Sequence, residues 1–221
     1  MSKTIKLTAE DGFEFNAYRA DPEGTPKGGV VVIQEIFGVN SHIRGDTDKF
    51  ARHGYAAIAP ALYDRARPGV ELNYDEAGVD EGLGIVGELG FDNPILDIKA
   101  AAAALTGVGK IGVVGYCWGG TVAWLTAARL ALPSVSYYGG RTLAFLDESP
   151  KAPILMHFGE TDHAIPLSDV ETIKARYPDI PVHVYAGAGH GFNCDQRAGH
   201  HEEAAETALT RTLQFLAANV G

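Results

Sequence analysis

Cys117, Asp162 and His190 are the residues of this chain whose types and settings fit nucleophilic catalysis. Cys117 lies in Gly115-Tyr116-Cys117-Trp118-Gly119-Gly120, after the apolar run Ile111-Gly112-Val113-Val114 and before a small-and-apolar helical pattern. That is the strand, sharp turn and helix of a nucleophile elbow, with cysteine where serine is commoner. The flanking glycines have a physical reason. A reactive residue on a strained turn needs neighbours without side chains, so that helix and strand can approach closely. The thiol then stands at a helix N-terminus, whose partial positive charge favours a thiolate. Read alone, the segment also fits a glycine-bounded strand end carrying an inert buried cysteine.

A cysteine nucleophile needs a base, and the base needs an orienting partner. His190 lies in Gly187-Ala188-Gly189-His190-Gly191-Phe192, directly after a strand pattern, where glycines let an imidazole sit on a tight loop. Asp162 lies in Gly159-Glu160-Thr161-Asp162, directly after the strand-like Ile154 to Phe158. Singly, Asp162 fits a loop cap and His190 a surface histidine. Taken in order, Cys117, Asp162 and His190 follow the nucleophile–acid–histidine sequence of α/β-hydrolases, each at a strand exit. Cys194 reads as a small buried hydrophobe, since no base is assigned to it. His157, His163, His183, His200 and His201 show no metal-ligand spacing, and His200-His201-Glu202 reads as the solvated start of the last helix. Trp124, Phe145, Phe158 and Phe215 read as core.

The elements that must position these residues alternate. Lys3 to Thr8 and Phe13 to Arg19 predict a hairpin around Asp11-Gly12. Gly29 to Ile33 is a continuous β-branched run, as in a strand buried on both faces. A helix is predicted from His42 to His53, stopped by Gly54, with strand pattern resuming at Tyr55 to Ala59. Asn93-Pro94 reads as an N-cap and first helical position, ahead of the stripe Ile95, Ile98, Ala102 and Leu105. Strands follow at Val135 to Tyr138, Pro153 to Phe158 and Val182 to Tyr185. Helices are predicted at Pro166 to Tyr177 and along Leu209, Leu213, Leu216 and Val220. Such alternation implies a mostly parallel central sheet with helices on both faces, an α/β fold with its reactive residues past the C-terminal strand ends. Glu35, Cys117, Asp162 and His190 all fall there.

Between Pro68 and Ile98 the chain has no Lys or Arg but carries Glu71, Asp75, Glu76, Asp80, Glu81, Glu88, Asp92 and Asp97. Glycines at 78, 82, 84, 87 and 90 weaken any helix there. Residues 68–92 are expected to form an acidic excursion, either a lid over the sheet edge or a solvated surface loop. The whole chain of 221 residues suits a single domain, 1–221, with a core large enough to need neither disulfides nor metals. Its formal net charge of -10 argues against nucleic acid or an anionic membrane as partner. Two cysteines make no disulfide framework, Met1-Ser2-Lys3 opens no leader, and no apolar stretch reaches membrane-spanning length, so a cytoplasmic monomer is expected.

Gln34-Glu35-Ile36-Phe37-Gly38-Val39-Asn40, the cysteine elbow, Gly159-x-x-Asp162 and Gly189-His190-Gly191-Phe192 together resemble the dienelactone hydrolases (carboxymethylenebutenolidases). These are single-domain α/β-hydrolases with a cysteine nucleophile, and the likeness runs from the Gly29 strand to the last helix. The resemblance implies that Cys117 attacks a lactone or ester carbonyl, that His190 handles the proton and that Asp162 orients His190. It implies an oxyanion hole made by the backbone N–H groups of Ile36 and Trp118. It also implies that Glu35 accepts a hydrogen bond from the resting thiol and releases it when substrate binds, sparing a standing thiolate from oxidation. Otherwise Glu35 simply braces the following turn.

One part of the pattern is missing. Dienelactone hydrolases that process the diene lactone itself hold its carboxylate with two arginines, one after the second long strand and one four residues past the catalytic histidine. Here the first stretch has no basic residue and the second position is Cys194, leaving Arg65, Arg67 or Arg197 as substitutes. The rings of Phe37, Trp118 and Tyr138 are expected to line a pocket for a flat or apolar acyl group. Thiolate, imidazole and amides complete acyl transfer, so no metal or organic cofactor is expected. The leading function is hydrolysis of a small-molecule lactone or ester through an acyl-cysteine. The alternatives are a carboxylesterase or thioesterase of other substrates and a non-catalytic small-molecule-binding scaffold.

Overall fold

Residues 2–221 are described by a computed structural model of the chain. Strands β1 (Ser2–Thr8) and β2 (Glu14–Ala20) pair antiparallel about the Asp11-Gly12 turn, with Gly12 at φ 85°. β2 then pairs antiparallel with β4 (Ala56–Pro60). From there the sheet is parallel through β3 (Gly29–Ile33), β5 (Ile111–Tyr116), β6 (Ser134–Tyr137), β7 (Ile154–Gly159) and β8 (Val182–Tyr185). Among the described residues the spatial order is β1-β2-β4-β3-β5-β6-β7-β8. The β-branched run of β3 is buried throughout, as expected of a central strand with helices over both faces. The mostly parallel α/β-hydrolase architecture read from the sequence is the one observed.

Helix α1 (Ser41–Arg52) is capped by Asn40, whose side chain accepts from the Ile43 N–H at 3.2 Å. Two corrections concern the segment that follows β4. Glycines notwithstanding, Glu76–Leu89 forms a helix, α2, started by Asp75, which accepts from the Gly78 N–H at 2.8 Å, and ended by Gly90 at φ 63°. Two of its glycines serve close approach: a Cβ on Gly82 would lie 2.1 Å from the Ile36 carbonyl oxygen and one on Gly78 2.1 Å from that of Asn73. Burial of Ile85, Val86 and Leu89 offsets the weak intrinsic propensity. Helix α3 starts at Asp92 and runs to Ala103, so Asn93 is not its cap, and Pro94 sits in the first turn, where its missing N–H costs nothing. Arg65 pins α3 to the sheet, donating to buried Asp97 at 2.7 and 2.8 Å and to Asp11 of the hairpin turn at 2.7 Å.

Helix α4 (Trp118–Arg129) is buried along almost its whole length and stacks against β5 and β6. Helices α5 (Leu167–Arg176) and α6 (Glu202–Asn219) complete the layers. No helix among the described residues is long and apolar enough to cross a membrane.

The turn from β5 into α4 is where backbone geometry is most demanding. Cys117 adopts φ 54° and ψ -118°, an arrangement that costs a non-glycine residue about 1–3 kcal/mol. Its neighbours show why they lack side chains. A Cβ on Gly115 would lie 2.0 Å from the Gly119 carbonyl oxygen, and one on Gly119 would lie 2.5 Å from that of Gln34. Gly119→Ala is therefore expected to lower the unfolding free energy by about 1–3 kcal/mol through overpacking, read by denaturant titration. An unchanged midpoint would mean that the elbow is looser than its distances imply.

Candidate active site

Three strand exits converge at the elbow. β5 delivers Cys117, the loop after β7 delivers Asp162, and the loop after β8 delivers His190. His190 Nε2 lies 3.1 Å from Cys117 Sγ, and His190 Nδ1 lies 2.8 Å from Asp162 Oδ2. The other Asp162 oxygen accepts from the N–H groups of Ala164 and Ile165 at 2.8 and 3.2 Å, so the carboxylate is fixed before it meets the ring. With Asp162 accepting at Nδ1, Nε2 is left to face the sulfur. Burial alone would lower the His190 pKa. The Cys117 sulfur and the Asp162 carboxylate outweigh it and push the value up to about 10.

Cys117 opens into a cleft of about 290 Å³. Ile36, Phe37 and Trp118 line it, as expected, together with His190. Helix α2 supplies a wall of Val79, Leu83 and Val86, side chains the sequence did not single out, and Leu83 remains 47% exposed at the mouth. Helix α2 thus forms one side of the cleft through these three residues. A wider depression of about 510 Å³ beside Asp21 and Arg52 has no cysteine or histidine on its walls.

Tyr138 does not line the cleft, contrary to expectation. It is fully buried behind the site, with its ring 5.1 Å from that of His190 and 5.3 Å from that of Phe192. The chain leaves β6 with Tyr138 at φ 39°, which ends the strand alternation and turns the side chain inward. Its hydroxyl has no hydrogen-bond partner.

The arginines resolve differently from the sequence pattern. Arg65 is committed to Asp97 and Asp11, and Arg67 to Glu81 at 2.8 Å. Arg197 and Arg141 both line the cleft. Arg197 is placed by Gly191, which has φ 74° and where a Cβ would lie 2.5 Å from Nη1. Its guanidinium rests over the rings of Phe37 and Tyr74 at 5.5 and 5.6 Å. Arg141, reaching in from the loop after β6, carries no motif that could have marked it.

Glu35 lies two residues past the end of β3, wholly buried, and its two carboxylate oxygens accept no hydrogen bond. Arg197 Nη1 stands 3.7 Å from Oε1. The expected thiol-to-Glu35 hydrogen bond is not the arrangement observed. The sulfur is engaged by His190 instead. Cys194 is fully buried as expected, but its surroundings are polar rather than apolar, because His42 and Glu35 flank it.

Residues 15–220 match the model of the family described as the dienelactone hydrolase family. The carboxymethylenebutenolidase of Pseudomonas putida is 34% identical, covering 98% of this chain and 97% of its own. A putative carboxymethylenebutenolidase from Synechocystis is also 34% identical, over 96% of this chain and 95% of its own. Among solved structures, a putative dienelactone hydrolase from Klebsiella pneumoniae superposes with a TM-score of 0.86 at 30% identity, covering 98% of this chain and 99% of that one.

Proposed function

The chain belongs to the dienelactone hydrolase family of hydrolases acting on carboxylic ester bonds, and from that premise we propose that it opens small carboxylate-bearing lactones or esters through an acyl-cysteine at Cys117. The observation that carries this reading is the unbroken chain from Asp162 through His190 to Cys117, at 2.8 and 3.1 Å, on the floor of a cleft.

Cys117 Sγ attacks the carbonyl carbon, and the carbonyl oxygen takes up the negative charge. The N–H groups of Ile36 and Trp118, both at the cleft wall, are the donors suited to hold that oxyanion. As the tetrahedral species collapses, the C–O bond to the leaving oxygen breaks and His190 gives it the Nε2 proton. Neutral His190 then takes a proton from water, the resulting hydroxide attacks the thioester, and Cys117 leaves as thiolate beside a restored imidazolium. Every group needed comes from one chain, so a monomer suffices. A reducing compartment such as the cytoplasm would keep both free thiols, Cys117 and Cys194, available.

Arg141 and Arg197 support an anionic substrate. They supply the positive charge that the family pattern places elsewhere, while Phe37, Trp118 and the α2 wall suit a flat apolar body. In a panel of carboxylate-bearing lactones and neutral p-nitrophenyl esters, the anionic lactones are expected to have the higher kcat/KM. Arg141→Gln and Arg197→Gln should each raise KM for the anionic lactones by about 10- to 100-fold, the loss of one charge-assisted hydrogen bond, with neutral esters much less affected. Equal effects on both substrate classes, or a preference for neutral esters, would favour a general carboxylesterase.

A further inference from the structure

Unpartnered polar atoms inside the chain gather behind the active-site sulfur. Glu35, His42 and Cys194 are 0%, 3% and 0% exposed, and they arrive from the segment just after β3, from the first turn of α1 and from the loop after His190. Neither Glu35 oxygen nor His42 Nε2 has a hydrogen-bond partner. One oxygen, one nitrogen and one sulfur from these three side chains nevertheless all lie within 4.8 Å of one another. A carboxylate wholly out of water and without hydrogen bonds needs a cation at close range. Arg197 at 3.7 Å meets that need loosely and from one side only.

We propose that Glu35, His42 and Cys194 form a binding site for one divalent cation of the zinc class. The donor set selects that class. Calcium and magnesium are bound by oxygen alone, whereas imidazole, thiolate and carboxylate together suit zinc and its borderline neighbours. The surroundings fit as well. His42 Nδ1 faces the Asp195 carboxylate at 3.3 Å, so that Nδ1 can donate there and Nε2 can present its lone pair to the other two ligands. A carboxylate behind a histidine is the usual support of a metal-bound imidazole. Asp46, whose Oδ2 is 3.7 Å from Nε2, is already bonded to Lys49 and Asn193 at 2.6 and 3.0 Å and is not counted as a ligand.

The site goes beyond the hydrolase reading, because acyl transfer by Cys117 and His190 needs no ion. Its test is therefore spectroscopic. The full-length chain, reduced and handled without oxygen, is titrated with Co²⁺ and, in competition with a chromophoric chelator, with Zn²⁺. One equivalent of each is expected to bind, and the cobalt form should show a thiolate-to-metal charge-transfer band. Cys117→Ala should keep that band, Cys194→Ser should lose it, and His42→Gln should weaken zinc binding at least tenfold. Absence of stoichiometric zinc binding by the wild-type chain would overturn the site, as would a charge-transfer band lost in Cys117→Ala and kept in Cys194→Ser. Should Cys194→Ser fail to fold by circular dichroism, wild-type stoichiometry and the Cys117→Ala spectrum decide the matter without it.

Discussion

Cys117→Ala is expected to cut kcat for ester or lactone hydrolysis by about 10,000-fold or more, leaving only what cleft binding and the oxyanion donors contribute. The reason is positional. The strained elbow holds one sulfur 3.1 Å from His190 Nε2, and Cys194, the remaining thiol, is fully buried and lines no part of the cleft. Of the residues lining the cleft, Cys117 carries the one thiol, and the Thr121 hydroxyl is engaged by the Arg141 N–H at 3.1 Å. Alanine accepts the same backbone conformation at no greater cost than cysteine, and the side chain removed is only half-buried, so the fold should survive. Steady-state rates on a p-nitrophenyl ester and on a lactone, with circular dichroism as control, read the effect. A loss smaller than tenfold would mean that water activated directly by His190 does the chemistry.

Asp162→Asn is expected to lower kcat by about 1,000- to 10,000-fold, because an amide can turn its N–H₂ toward the ring and favour the wrong tautomer. Its pH profile separates this role from mere bracing. His190 in the wild type keeps its proton up to about 10, with Cys117 and Asp162 both favouring the charged form over the effect of burial. The leaving oxygen needs that proton, so kcat/KM should fall on an alkaline limb near pH 10. Without the Asp162 carboxylate the limb should move to lower pH. Stability follows the same sign. A histidine whose folded pKa is raised contributes fully below its usual value of 6.5 and loses that contribution as pH rises through about 10. An alkaline limb unmoved by Asp162→Asn would show that the carboxylate positions the loop only.

The convergence of Cys117, Asp162 and His190 was legible in the sequence because each follows a strand directly, and in a parallel sheet strand exits share one edge. Cys117 was further marked by glycines whose absent side chains make room for the carbonyls of Gly119, Gln34 and Tyr137. Other features follow no local rule. Helix α2 was obscured because Gly78 and Gly82, weak helix formers on a propensity scale, are needed where Asn73 and Ile36 press against the helix. Tyr138 was misplaced because a positive φ, invisible in a strand pattern, turns it behind His190. Arg141 and Arg197 reach the cleft on long side chains from loops with no motif of their own. Glu35, His42 and Cys194 stand far apart in sequence, and only the fold brings a carboxylate, an imidazole and a thiol together.

The most direct test of cysteine-based acyl transfer is a rapid acid quench within the first turnover of an activated ester. Intact mass is then measured, and peptide mapping locates any adduct. The mechanism requires one acyl group per chain, carried on the Cys117 peptide and absent from Cys117→Ala. First-turnover release of the alcohol with no acyl mass on Cys117, or with the acyl group on Cys194, would contradict it.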